Sequence, residues 1–400
     1  MNIAWLTPEI PFPPIGGRNG VYNRIVQLSK YNQIYLYSIA YSEKEKTLAF
    51  EMEPYCKEVH YYNRNESKVK NIAKSILLPF SVATRTIKQL NADLKALVDK
   101  INIDLIIIDF PNMALNLRGI DKKIYVTLNE HNIEYARMRS MAKIKTISVI
   151  KRLAYYLESY RLEAFEKRLY YSDAFQSITF FSKKDMSDFQ KKWKGIKAEL
   201  RVFPLGANNG TNDVDINDKK RLLFIGRLDS IAIPNVEAAI WMAKKVFPHI
   251  KQSVPEVKLI IAGANPSDEV IALGEDEDII IIPNYASMSQ VYSLSDIVIL
   301  PLLSGGGVKG KLLEAASFGK IIVSTDHGIE GTDFRHMEQV IVANSEEEFS
   351  DACVSILCNP KGYIKLAKQS NQLFKKEYEW GAIGSQYNEF LTNRASEYKL

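Results

Sequence analysis

Short apolar runs recur along the chain, with enough residues between most of them for a helix. The runs cover 2–7, 34–39, 104–109, 123–128 and 175–180, and resume at 221–226, 257–263, 279–283, 297–301 and 321–325. They are rich in Ile, Val and Leu, and apolar at successive rather than alternate positions. Strands of that kind bury both faces, as in a parallel sheet covered by helices. Stretches with helical spacing lie between many of them, among them 21–30 and 235–254. The alternation predicts open α/β domains.

A polar, turn-rich segment at 206–220 interrupts this rhythm. It follows Arg201-Val-Phe-Pro204, expected to be the last strand of a first domain over 1–205. It precedes the strand that opens a second domain over 221–380. A length of 400 residues reads as two or three domains at about 150 residues each. Charge divides at the same place. Residues 1–205 hold 33 Lys and Arg against 21 Asp and Glu, and the remainder holds 19 against 26. The net charge of +5 therefore conceals a basic first half and an acidic second half, which points to different partners for the two.

Composition excludes several classes. With 46% hydrophobic and 25% charged residues, the chain is an ordinary globular protein rather than a disordered or coiled-coil one. Cys56, Cys353 and Cys358 show no disulfide framework or metal spacing, so a reducing cytoplasm is expected. Residues 1–8 read as a strand and not as a signal peptide. No apolar run approaches the ~18 residues of a membrane-spanning helix. A long helical stretch over 134–171 is rich in Lys, Arg and Tyr, with basic points at 143–145 and 151–152. It reads either as a solvated helix packing its aromatic residues inward or as a surface that meets an anionic membrane or a lipid-phosphate acceptor.

Four segments carry candidate chemistry. The strongest is Pro301-Leu-Leu-Ser-Gly-Gly-Gly-Val-Lys-Gly-Lys-Leu-Leu-Glu-Ala-Ala-Ser-Phe-Gly319, a strand end, a glycine loop and a helix starting near Val308. Glycines let the backbone approach a ligand closely, and a helix N-terminus favours phosphate. Lys311 adds charge there, and Glu314, three residues on, shares its helix face and suits two ribose hydroxyls. The second is Phe224-Ile-Gly-Arg227, a strand end whose planar guanidinium fits a diphosphate. The third is the loop 8–20 with Gly16 and Gly17, which lacks the dinucleotide fingerprint. The fourth is Asn129-Glu-His131-Asn-Ile-Glu134, where carboxylates flank a histidine at a strand end. Asp213-Val-Asp215 and 275–278 read as solvated turns, and no metal site is expected.

In their order along the chain, these motifs resemble the large retaining glycosyltransferase family 4, also called group 1, with the GT-B fold. The resemblance rests on Gly16-Gly17, His131, Phe224-x-Gly-Arg227-Leu with Pro234-Asn235, Ala262-Gly263, the 292–301 run, the 305–315 run and Ser324-Thr-Asp-His-Gly-Ile-Glu-Gly331. It implies two Rossmann-like parallel-sheet domains facing across a cleft, with a last helix over 381–400 crossing back to the first. The implied activity is retaining, hexosyltransferase-type transfer from a nucleotide-diphosphate sugar, with UDP or GDP as the carrier and no resident cofactor. Arg227 and Lys311 would hold the diphosphate, and His131 would contact the donor sugar. Glu314 would bind the ribose, and Asn284 and Tyr285 would read the base. Gly306, Gly307 and Val308 would offer N–H groups, with Lys309 beside them, and Gly16 and Gly17 would approach the phosphate.

Two positions depart from the pattern. Gly306 stands eight residues before Glu314, where many members carry Glu, and 229–235 lacks the Lys that many place after Gly-Arg-Leu. Both bear on which sugar is held. The acceptor would be a glycan, a lipid-linked intermediate of a surface polysaccharide, or a protein. The basic first domain is expected to touch the inner face of the membrane peripherally, and no nucleic acid is expected as a partner. A sugar-nucleotide epimerase or a non-catalytic scaffold on the same fold are the rival readings.

Overall fold

The computed structural model describes residues 1–14, 17–64, 78–131, 133–142, 148–210, 214–230, 232–305 and 307–399. Two compact units divide the chain, Met1–Pro204 with Ile383–Leu400, and Leu205–Ala382.

The first unit is built on seven parallel strands: β1 (Asn2–Thr7), β2 (Gln33–Ala40), β3 (Glu58–Asn63), β4 (Leu105–Asp109), β5 (Tyr125–Glu130), β6 (Ser177–Phe180) and β7 (Glu199–Val202). Their order is β3-β2-β1-β4-β5-β6-β7. The second unit holds six: β8 (Arg221–Arg227), β9 (Lys258–Ala264), β10 (Ile279–Pro283), β11 (Ile297–Leu300), β12 (Ile321–Ser324) and β13 (Ile341–Val342). Their order is β10-β9-β8-β11-β12-β13, again parallel throughout. The chain reverses its direction of travel between β1 and β4 in one sheet and between β8 and β11 in the other. In doubly wound sheets that reversal opens a crevice at the carboxyl ends of the two central strands.

The apolar runs explain themselves in the second unit. Leu222 and Phe224 of β8, Leu259 and Ile261 of β9, and Ile297 and Ile299 of β11 enter one core. Their neighbours Leu223, Ile225, Ile260, Ala262, Val298 and Leu300 enter another. Successive residues of a strand point to opposite faces, so a sheet buried on both sides needs unbroken apolar runs.

Two strands escape the sequence pattern. Strand β3, Glu-Val-His-Tyr-Tyr-Asn, lies at the sheet's edge with most side chains partly or fully in water, so no apolar run marks it. Strand β13 has only two residues. Strand β5 ends later than expected, at Glu130, which makes Asn129 and Glu130 buried strand residues. The helical stretch 235–254 is observed as Ile233–Trp241, a wider π turn Met242–Val246, and Phe247–Ser253. At the π turn the Phe247 N–H donates to the Met242 carbonyl five residues back, just before Pro248, which has no N–H to give. The long helix expected over 134–171 is two helices, Glu134–Met141 and Val149–Tyr170. Lys143 and Lys145, the first of its basic points, lie outside the described residues.

The carboxyl end of β5 meets the second of these helices through buried acids. The Tyr170 hydroxyl donates to Glu130 Oε2 (2.8 Å), and the Tyr135 N–H donates to Glu166 Oε1 (3.3 Å). Glu130 Oε1 and Glu166 Oε2 have no hydrogen-bond partner among the described residues. Burial, then the neighbouring carboxyls, pushes Glu130 well above the usual carboxylate range and Glu166 up to about 8. The unfolded chain releases these protons near pH 4.5, whereas the folded chain keeps the Glu166 proton to about 8. Between those limits the folded state binds more protons, so stability falls as pH rises. Glu166→Gln should therefore raise the melting temperature at pH 8 by about 2–4 °C for each kcal/mol relieved, and change it little at pH 5. An equal change at both pH values would show that Glu166 is ionised throughout.

Candidate functional site

In the second unit, β8 ends on Gly226-Arg227, and β11 runs through Pro301 into the glycine loop and the helix Gly310–Ser317. Lys311 stands in the first turn of that helix, and its Nζ donates to Asn235 Oδ1 (2.7 Å). Asn235 Nδ2 in turn donates to the Arg227 carbonyl (2.8 Å). One amide thus ties the lysine to the end of β8. Gly226 leaves room for this. A Cβ there would lie 3.0 Å from both Asn235 Nδ2 and Lys311 Nζ. The ammonium also sits 4.5 Å from the centre of the Phe224 ring. Burial pushes Lys311 down to about 7, only partly offset by Glu314. An anion arriving at this position would restore the charge.

Glu314 lies one turn further along the same helix. Its Oε2 accepts from the buried Tyr292 hydroxyl (3.2 Å), and burial raises its pKa. Tyr292 stacks on Phe318 with ring centres 4.6 Å apart, which fixes the hydroxyl beside the carboxyl. Tyr285 approaches the same carboxyl closely enough for Glu314 to raise its pKa, after burial. The structure therefore gathers Lys311, Glu314 and Tyr285 around the ends of β8 and β11, with Arg227 beside them.

The remaining residues singled out in this unit fall into two groups. Arg227 is more than half exposed, and its Nε donates to Asp229 Oδ2 (2.6 Å). Lys309 donates to the carbonyls of Gly305 (3.0 Å) and Gly307 (2.7 Å), so its ammonium braces the loop itself. Gly305 and Gly307 have φ of +99° and +77°, a backbone shape that glycine adopts without strain. Val308 packs on the adjacent core. Asn284 follows β10, its Oδ1 accepting from the Asn265 N–H (2.9 Å). Gly306 lies outside the described residues, as does Gly16.

His131 and Gly17 belong to the first unit. Gly17 opens the helix Gly17–Leu28 and is exposed. His131 follows β5, stacked on Phe110 (4.3 Å between ring centres) and flanked by Phe181 (4.6 Å). Its Nε2 meets Asp109 Oδ1 at 2.7 Å. Asp109 ends β4, is fully buried, and also receives Trp5 Nε1 and Asn129 Nδ2. Asn129 cannot turn round, because its Oδ1 accepts the hydroxyls of Thr179 (2.6 Å) and Tyr387 (2.7 Å). A carboxylate so placed accepts from His131 too, so Nε2 carries a hydrogen and Nδ1 is the ring nitrogen left without a protein partner among the described residues.

A cavity of about 390 Å³ lies at the carboxyl ends of β1, β2 and β4, lined by Pro8, Tyr41, Arg85, Phe110, Asn112 and Arg137, among others. Sequence reading named none of Asp109, Asn129, Tyr387 or Arg137 as site residues, and quoted Asn235 and Tyr292 without a role. Asp109 was hidden as the polar end of an apolar run, and Tyr387 is distant in sequence.

Residues 219–359 match the family described as glycosyl transferases group 1. An uncharacterized 44.6 kDa protein from the cps region of Klebsiella pneumoniae is 25% identical over 391 residues, covering 94% of this chain and 96% of that protein. Sucrose-phosphate synthase from Thermosynechococcus elongatus superposes with a TM-score of 0.67 at 13% identity, over 99% of this chain and 100% of that one. Anabaena HepE in complex with UDP gives 0.65 at 13% identity, over 98% and 100%. With its two doubly wound parallel sheets and these superpositions, the chain has the GT-B fold, and its residues 219–359 match the group 1 glycosyl transferases.

Proposed function

We propose that this glycosyltransferase moves a hexose from a nucleotide-diphosphate sugar to a glycan or lipid-linked acceptor during assembly of a surface polysaccharide, with retention of configuration. The observation that carries the reading is the Lys311 ammonium, drawn out of water beside the β8 terminus with no acid within hydrogen-bonding reach among the described residues. A diphosphate is the partner that such a group lacks. Anabaena HepE, solved with UDP and with UDP-glucose, supports a nucleotide sugar as donor, and UDP as its carrier. The relative from a cps region supports a polysaccharide product.

In this reading Arg227 leaves Asp229 for the diphosphate and, with Lys311, offsets the charge that grows on the departing phosphate. Gly307 and Val308 offer N–H groups there, with Gly306 and, on the other unit, Gly16 and Gly17 as further contacts. Lys309 shapes the loop. Glu314, held by Tyr292, receives the ribose hydroxyls, and Asn284 and Tyr285 meet the base. His131 presents Nδ1 as an acceptor to a hydroxyl of the donor sugar, its ring held by Asp109. The acceptor occupies the cavity with Arg85 and Arg137, where Tyr41 and Phe110 offer rings to a sugar face. No protein nucleophile is assigned; the leaving phosphate takes the acceptor proton.

Two measurements test this. Lys311→Ala and Arg227→Ala should each lower turnover by ~100-fold or more, the usual effect of removing one group that stabilises developing negative charge. Near-normal transfer by purified Lys311→Ala would overturn the assignment. Binding should also be linked to protonation. At pH 8 the empty site holds Lys311 largely neutral, its pKa being about 7, and a bound diphosphate restores the charge. Titration of UDP in buffers of different ionisation enthalpy should then show uptake approaching about one proton at pH 8 and little at pH 6. Lys311→Arg, charged at both pH values, should abolish the difference.

A further inference from the structure

The helix Val149–Tyr170 packs on the first unit through Ser159, Leu162, Glu166 and Tyr170. Its opposite face is open. Val149, Ile150, Leu153, Tyr156, Leu157 and Tyr160 are between 44% and 83% exposed. At about 100° per residue these six fall within one stripe of about 120°, over roughly 18 Å of helix. Scattered exposed apolar residues are ordinary, but a contiguous stripe marks a contact surface. Further along the same side come Lys167 and Arg168, both exposed.

The charges on this helix are sorted. Every exposed position from 149 to 170 is apolar, aromatic or basic, and none is acidic. The acids turn away. Glu158 accepts the Ser81 N–H (3.2 Å), Glu163 pairs with Arg139 (2.7 Å) and Lys192, and Glu166 is buried. Tyr156 and Tyr160 join hydroxyls at 2.9 Å on the stripe itself, rings against the apolar neighbours and oxygens available to a polar layer.

We infer that this face lies on an anionic lipid bilayer, with the 149–160 stripe seated at the boundary between headgroups and acyl chains, and Lys167 and Arg168 on the phosphates. Charge complementarity chooses this occupant over a second copy of the chain. A copy laid on the same face would bring this helix's cations against cations, with no exposed carboxylate on the helix to meet them. A lipid surface supplies both the negative charge and an apolar layer of suitable depth. Tyrosines favour that interfacial depth. A lipid-linked acceptor follows only if the sugar-transfer reading holds; adsorption to the bilayer does not depend on it.

The test is flotation of the full chain with vesicles of phosphatidylcholine alone and of two-thirds phosphatidylcholine with one-third phosphatidylglycerol. Binding should be stronger by ~10-fold or more on the anionic vesicles and should weaken with salt. Leu153→Glu with Leu157→Glu, and separately Lys167→Glu with Arg168→Glu, should each lower it by ~10-fold or more. UDP affinity and melting temperature, read on the same proteins, should stay unchanged and would show that the fold and the donor site are intact. Equal binding to both vesicle types, or unchanged binding by the Leu153/Leu157 variant, overturns the inference. So does a chain that ignores vesicles but is a dimer that this variant dissociates, since the face would then belong to a second copy. Loss of transfer activity with vesicle binding intact would count against the sugar-transfer reading alone.

Discussion

Taking an ammonium out of water without an opposite charge costs more than a lysine normally returns to a fold. At Lys311 the second unit accepts that cost, and the local architecture is arranged around it. The strand order reverses between β8 and β11, so no strand end or crossover covers the gap. Gly226 leaves the end of β8 bare, and Asn235 spans from the Arg227 carbonyl to the ammonium. The carboxyl best able to neutralise the lysine, Glu314, faces Tyr292 instead. Together these features keep the positive group short of an opposite charge, a poor arrangement for stability and a good one for an incoming anion.

The first unit solves the converse problem. There a carboxylate, Asp109, is buried at a strand end and fully supplied with donors, and the supply fixes the group beside it. Two hydroxyls hold Asn129, Asn129 helps hold Asp109, and Asp109 accepts from Nε2 of His131. Tyr387 enters this chain of bonds from the C-terminal helix, more than 250 residues away in sequence. No pattern in a single sequence links such positions. The pairing is made by the parallel register that sets Asp109 against Asn129, and β5 against β6.

The difference between what was legible and what was not follows from range. Strand cores need unbroken apolar runs, so ten of the thirteen strands announce themselves as such runs, and Arg201-Val-Phe-Pro204 lies beside an eleventh. An edge strand with one wet face and a strand of two residues need no such run, and β3 and β13 were missed. The positions of Lys311 and Glu314 on one helix face, and of Arg227 and His131 at strand ends, follow from local spacing and could be read. Residues that orient them across the sheet could not.

On the proposed function, net charge is a coarse guide to where an anion binds. If the proposed function holds, the acidic half of the sequence carries the diphosphate site, because desolvation and placement of one or two cations outweigh a surplus of carboxylates spread over a wet surface. In the basic half the positive surplus matters through sorting rather than through its sum. Along Val149–Tyr170 the acids are bonded inward or buried, and the outer face keeps only cations beside exposed Val, Ile, Leu and Tyr. A solvated helix gains little from such an arrangement, since mixed charge serves solubility better. An apolar stripe with one sign of charge is what a surface of the opposite sign with an apolar interior selects.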